Sequence, residues 1–110
     1  MREIADIFKA LSDPTRLRIV ALLAQGELCV CDLMEILKLP QSTISRHMAR
    51  LKSARIINDR RQGKWVHYSL QNGNLPDKIR HFLKTELPGD EPHRSDLKKL
   101  EKYMVKDRCQ

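Results

Sequence analysis

No apolar run in this chain approaches the roughly 18 residues that a membrane-spanning helix needs. The opening residues, Met1-Arg2-Glu3-Ile4-Ala5-Asp6, lack the apolar core of a secretion signal, so a cytoplasmic protein is expected. Cysteine is scarce as well. Cys29, Cys31 and Cys109 are an odd set and do not read as a disulfide framework. Aromatic residues make up only 5% of the chain, which limits the core and makes dimerisation a natural source of added stability. There is no phosphate loop, no pair of catalytic carboxylates and no Cys/His pair at a recognisable spacing, so nothing points to an enzyme. Repeats and low-complexity tracts are missing too. What is left is one small domain, residues 1–110.

Acidic charge is scarcest between residues 41 and 64. That segment holds seven basic residues against Asp59 alone, a net +6. Residues 1–40 carry five basic and six acidic groups, and residues 65–110 carry nine and seven. Nearly all of the chain's +7 is therefore concentrated in 24 residues. A polyanionic partner is the natural inference.

The hydrophobic pattern supplies the scaffold. Ile4, Ile7, Phe8 and Leu11 predict a helix over 2–11. Asp13 and Pro14 predict the start of a second helix, with a side-chain cap followed by a proline at the first helical position. Leu17, Val20, Ala21 and Ala24 give that helix its face, and Gly26 is expected to end it in the left-handed position. Residues 27–31 read either as a short strand or as an irregular junction. Asp32 and Glu35 have the spacing of a capping box for a third helix, which carries Leu33, Ile36 and Leu37 and stops before Pro40. Ile44, Met48 and Leu51 then mark one face of a helix over 41–54. A short helix, a tight turn over 38–41 and a longer helix form the spacing of a helix-turn-helix.

Two strands are expected next. Residues 56–58 form one, and residues 64–70 alternate Val66, Tyr68 and Leu70 with Trp65, His67 and Ser69. Arg60-Arg61-Gln62-Gly63 between them reads as the hairpin turn. The C-terminal third is helical, with stripes of Leu75, Ile79, Phe82, Leu83 and Leu87 and of Leu97, Leu100 and Met104, broken at Pro88-Gly89-Asp90. The fold expected is mainly α with a little β: a winged helix-turn-helix with a two-stranded wing.

This arrangement points to double-stranded DNA, with no cofactor needed for binding. The candidate contacts on the second helix of the motif are Gln41, Ser42, Thr43, Ser45, Arg46, His47 and Arg50. Small polar residues let the backbone approach the duplex, Gln reads adenine and Arg reads guanine or binds phosphate. Arg60, Arg61, Gln62 and Lys64 on the wing are the further candidates, expected to supply salt-dependent affinity.

Cys29 and Cys31 are the one pair that invites a ligand. Two close cysteines are also ordinary core filler. As ligands they pose a geometric problem. In a helix, residues two apart point roughly 200° from each other. In a strand they share a face but sit about 6.6 Å apart. Chelation is therefore expected to distort residues 29–33, and the nearby helix start is expected to favour thiolate.

The chain resembles the ArsR/SmtB family of metal-sensing repressors. The resemblance spans residues 4–70 and is carried by Asp-Pro-Thr-Arg-Leu at 13–17, Glu-Leu-Cys-Val-Cys-Asp-Leu at 27–33 and Gln-Gly-Lys-Trp-Val-His-Tyr at 62–68, with Ser45-Arg46-His47 between them. It implies a homodimeric repressor, joined through its first and last helices. Trivalent arsenic or antimony bound at Cys29 and Cys31 is implied as the inducer that frees the operator. Many relatives carry a third cysteine where this chain has Met34, a neutral and weaker ligand. Cys109 is then a further candidate for the third sulfur. Zinc- and cadmium-sensing relatives use acid and histidine pairs on the last helix, which Asp77 with His81 and His93 with Asp96 do not reproduce. A thiol redox sensor, or a sensor of another soft metal on the same scaffold, is the alternative.

Overall fold

The computed structural model describes residues 1–87 and 89–106, so Pro88 and Cys109 lie outside the described residues. The elements in order are α1 (Arg2–Leu11), α2 (Pro14–Leu23), β1 (Leu28–Cys29), α3 (Val30–Leu37), α4 (Gln41–Ser53), β2 (Ile57–Gln62), β3 (Trp65–Leu70), α5 (Asn74–Glu86) and α6 (His93–Lys106).

Asp13 starts α2 as expected: its carboxylate accepts from the amides of Thr15 and Arg16 at 2.8 and 3.1 Å. The Arg16 amide is the main reason the Asp13 carboxyl is held below the usual carboxylate range, since that bond exists for the charged form. Residues 19–23 are then all buried, on every side of the helix. A helix that is apolar all round belongs in the middle of a fold, and α2 sits there, against α1, α4, β3, α5 and α6. Its end departs from expectation. Ala24 closes it in right-handed conformation, and Gly26, at φ +149, belongs to the following loop.

The helix-turn-helix packs on α2. Leu33 and Ile36 from α3 and Ile44, Met48 and Leu51 from α4 are at most 1% exposed and share one core. Burying a side chain of that size stabilises by about 1.5–3 kcal/mol. The chain leaves α3 through Lys38 in left-handed conformation, whose amide donates to Met34 O at 3.0 Å. Pro40 then precedes α4, which has no side-chain cap. The turn between the helices is residues 38–40.

The strands form one antiparallel sheet in the order β1-β3-β2. The expected two-stranded wing is present as β2 and β3, and β1 adds a short third strand, Leu28 opposite Tyr68 and Cys29 opposite His67. The hairpin turn is tighter than expected. Gln62 pairs with Trp65, so only Gly63, at φ +62, and Lys64 make the tip. Arg60 and Arg61 therefore lie on β2, opposite His67 and Val66. Strand pairing extended further because nothing in Arg60-Arg61-Gln62 forbids extended backbone, and only Gly63 supplies the left-handed turn. With the helix-turn-helix before it, this hairpin makes a winged helix.

α5 and α6 cover the far side. Leu83 and Leu100 reach the core. Arg18 on α2 clamps Asp96 on α6 with two bonds of 2.9 Å, and Asp96 is buried. Apolar surface is left uncovered on three helices: Ile4 and Phe8 on α1, Phe82 on α5 and Met104 on α6. Among the described residues, no helix is long and apolar enough to cross a membrane.

Candidate nucleic-acid interface and thiol site

The start of α4 stands out from the fold. Gln41, Ser42, Ser45, Arg46 and Arg50 are exposed, while Ile44, Met48 and Leu51 on the other face hold the helix down. The uncapped first turn leaves its amide dipoles pointing outward, a suitable cradle for phosphate. Thr43 and His47 are half-buried. His47 turns toward α2, with Nδ1 3.5 Å from an Arg16 guanidinium nitrogen. Arg16 in turn donates to Ala10 O at 2.6 Å, so this cluster ties α4 to the α1–α2 corner.

On the wing, Arg61, Gln62 and Lys64 are exposed, and Lys64 lies over the Trp65 ring at 5.4 Å. Among the described residues, Arg46, Arg50 and Arg61 form no ion pair, so their charge is available to a partner. Lys52 and Arg60 are engaged. Lys52 reaches Asp59 at 3.0 Å and lowers its carboxyl below the usual range. Arg60 donates to both Glu27 oxygens at 3.2 and 2.6 Å, and the carboxylate holds the guanidinium more firmly protonated.

The cysteine pair sits at a joint. Cys29 ends β1 and is the N-cap of α3, and Cys31 is in the first helical turn. That mixed geometry removes the obstacle expected for a pure helix or strand: the two sulfurs are 3.0 Å apart. The two already lie close together, but Cys31 is disulfide-bonded, against the expectation of no disulfide, and must be reduced before both sulfurs can hold an ion. The capping box is also shifted by three residues from its expected place. Cys29, not Asp32, is the cap, and Asp32 at N3 accepts from the Cys29 amide at 2.9 Å. Glu35 instead makes an exposed ion pair with Lys38 at 3.2 Å. The box was misplaced because cysteine is not a usual cap residue, whereas aspartate is.

Asp32 is the residue that sequence reasoning missed at this site. One donor atom each from Cys29, Cys31 and Asp32 lies within 4.8 Å of the other two. The available signal was the contiguity of Cys-Val-Cys-Asp with a helix start. Met34 packs against the hydrophobic core, where a thioether suits its surroundings. The expectation that a helix start favours thiolate at Cys29 does not hold. Cys29 is 0% exposed, and burial pushes its thiol up, with the Asp32 charge adding to the effect.

Two of the histidines, His67 and His93, are enclosed by the fold. His67 is buried within the sheet. His93 is buried beside Asp96, and burial lowers its ring below the ordinary imidazole value. Asp96 is committed to Arg18, and Asp77 pairs with Arg80 at 2.9 Å.

Comparison with known proteins agrees with this geometry. The family model described as bacterial regulatory protein, arsR family, matches residues 13–59. The arsenic resistance transcriptional regulator ArsR2 of Pseudomonas putida is 44% identical over 107 residues, covering 93% of this chain and 92% of that protein. The arsenical resistance operon repressor of Escherichia coli is 57% identical over 65 residues, covering 58% of this chain and 56% of that protein. Among solved structures, HlyU from Vibrio cholerae aligns with a TM-score of 0.70 at 28% identity, over 77% of this chain and 92% of that one.

Proposed function

The chain belongs to the arsR family of bacterial regulatory proteins, and we propose that it is a cytoplasmic, homodimeric repressor that leaves its operator when trivalent arsenic or antimony binds Cys29 and Cys31. The single observation that carries this reading is the 3.0 Å approach of the two sulfurs at the N-cap of the helix that leads into the DNA-binding motif.

DNA contact falls to Gln41, Ser42, Thr43, Ser45, Arg46, His47 and Arg50 on α4 and to Arg61, Gln62 and Lys64 on the wing. Ser45 and Arg46 read the operator. The uncovered Ile4, Phe8, Phe82 and Met104 supply the dimer face, since apolar side chains spread over α1, α5 and α6 favour a second copy over water.

The switch follows from where the sulfurs sit. Ligation requires both cysteines reduced; burial keeps the Cys29 proton on, and it leaves as water with a hydroxide of the arsenite as the sulfur–arsenic bond forms. Cys29 is also the cap of α3, and its amide is held by Asp32. Drawing the sulfur toward an ion competes with that cap, so the first turn of α3 loosens and α4, three residues beyond α3, loses its placement. Moving a population from almost all bound to almost all free takes about 5.5 kcal/mol of preference between the two states. The two thiolate bonds supply it. A redox sensor is the second reading: the disulfide at the half-buried Cys31 favours it, and the burial of Cys29 with its thiol pushed up weighs against it.

The test is operator binding by the reduced full chain, titrated with arsenite, antimonite, cadmium, zinc and, separately, peroxide. Release by arsenite and antimonite is expected. Release by peroxide alone supports the redox reading, and no response to any ion removes the sensor reading altogether.

A further inference from the structure

Glu27 stands two residues before Cys29, at the entrance to β1. Its carboxylate takes both bonds from Arg60, on the wing strand β2. Its Oε1 is also 3.9 Å from Nδ1 of His67, which is buried on β3 between the two. The register places these residues in one row across the sheet: Cys29 opposite His67, and His67 opposite Arg60. The thiol site and the wing are thus neighbours through β3, and Glu27 bridges them over its side.

We propose that Glu27 and Arg60 are positioning residues that transmit the state of the thiol site to the wing. The inference rests on the thiol-sensing reading given above. Two features favour transmission over a role in stability. The pair is half-exposed, Arg60 at 52% and Glu27 at 37%, and exposed ion pairs contribute little to folding. The ladder joining β1 to β3 is only two residues long, so movement at Cys29 is not absorbed by a long strand. When Cys29 shifts, Glu27 shifts with it and draws on Arg60, which re-aims the hairpin carrying Arg61 and Lys64. The ligand then acts on both halves of the grip, through α3 on the recognition helix and through Glu27 on the wing.

The experiment measures coupling, the ratio of operator affinities without and with saturating arsenite, in the reduced full chain. Glu27→Gln, Arg60→Gln and the double variant are compared with the natural sequence. Taking the ratio cancels any direct loss of phosphate contact common to both states. Each single variant is expected to lower the coupling by about 2- to 30-fold, the range for residues along a coupling network, and the double variant no further than the worse single. Arsenite affinity of the DNA-free protein and the melting temperature stay unchanged. Singles that keep the natural coupling overturn the proposal, as do losses that multiply in the double variant. A fall in arsenite affinity that accounts for the lost response also overturns it, by placing Glu27 at the ligand. If the natural protein itself shows no coupling, the sensor reading fails and this link fails with it.

Discussion

Along residues 41–64 the side chains that matter stand in water: Ser45, Arg46, Arg50, Arg61 and Lys64 are all exposed. Along residues 28–33 most are enclosed, with Leu28, Cys29, Asp32 and Leu33 at most 2% exposed and Cys31 half-buried beside them. On the proposed reading, the first region binds DNA by what projects from a helix and hairpin already in place, and the second answers a ligand by giving up a thiol proton and a helix cap, so affinity and response belong to chemically opposite surfaces. Substitutions should separate the two cleanly.

The largest effect is expected where the two regions share a core. Leu33→Ala, behind the cysteine pair, should lower stability by about 2–5 kcal/mol, read from denaturant melts. Arg46→Ala should leave the melt within about 0.5 kcal/mol but weaken operator binding by about 1–3 kcal/mol. A matching fall in stability would show that Arg46 holds the fold as well as the DNA, and the contrast between the regions would blur.

The proton balance of ligation sharpens the comparison next. The Cys29 thiol is pushed up by burial, so it is neutral at pH 7. Arsenite is the neutral trihydroxide at that pH, and each sulfur–arsenic bond expels a hydroxide that takes the thiol proton as water, so arsenite affinity should stay flat between pH 6 and 8. Folding, by contrast, depends on pH. A raised thiol favours the folded chain at pH below the ordinary thiol range, and that contribution is lost as pH climbs through it, because the unfolded thiol ionises first. An affinity that falls as pH rises would mean that the sulfur starts as a thiolate, which must take up a proton to expel the hydroxide as water. The smallest effect belongs to the wing: Arg61→Ala should reduce the salt dependence of DNA binding by about 0.9 in the log–log slope, for one phosphate contact.

The sequence carried most of the grip and only part of the switch. Asp13-Pro14 placed the start of α2, and the Ile44-Met48-Leu51 row placed the buried face of α4, because capping and helical period are local properties. The wing arginines were set at a turn, and pairing across β2 and β3 put them on a strand, which is a property of two segments together. At the thiol site, the cysteines were legible but their approach was not. The 3.0 Å contact depends on a strand meeting a helix at Cys29, and no single-period pattern describes such a junction. The raised thiol depends on burial by distant residues, and Glu27 meets Arg60 only because the chain folds back across 33 positions.

The direct measurement is fluorescence anisotropy of a labelled operator duplex bound by the reduced full chain, titrated with arsenite, for the natural sequence and for the Cys29→Ser, Cys31→Ser double variant. Both proteins are predicted to bind the duplex equally tightly before arsenite is added, since neither sulfur lies on the DNA face. The natural protein then releases the duplex, and the double variant stays bound. Release of the double variant, or retention of the duplex by the natural protein, would contradict control of the exposed grip by the cysteine pair.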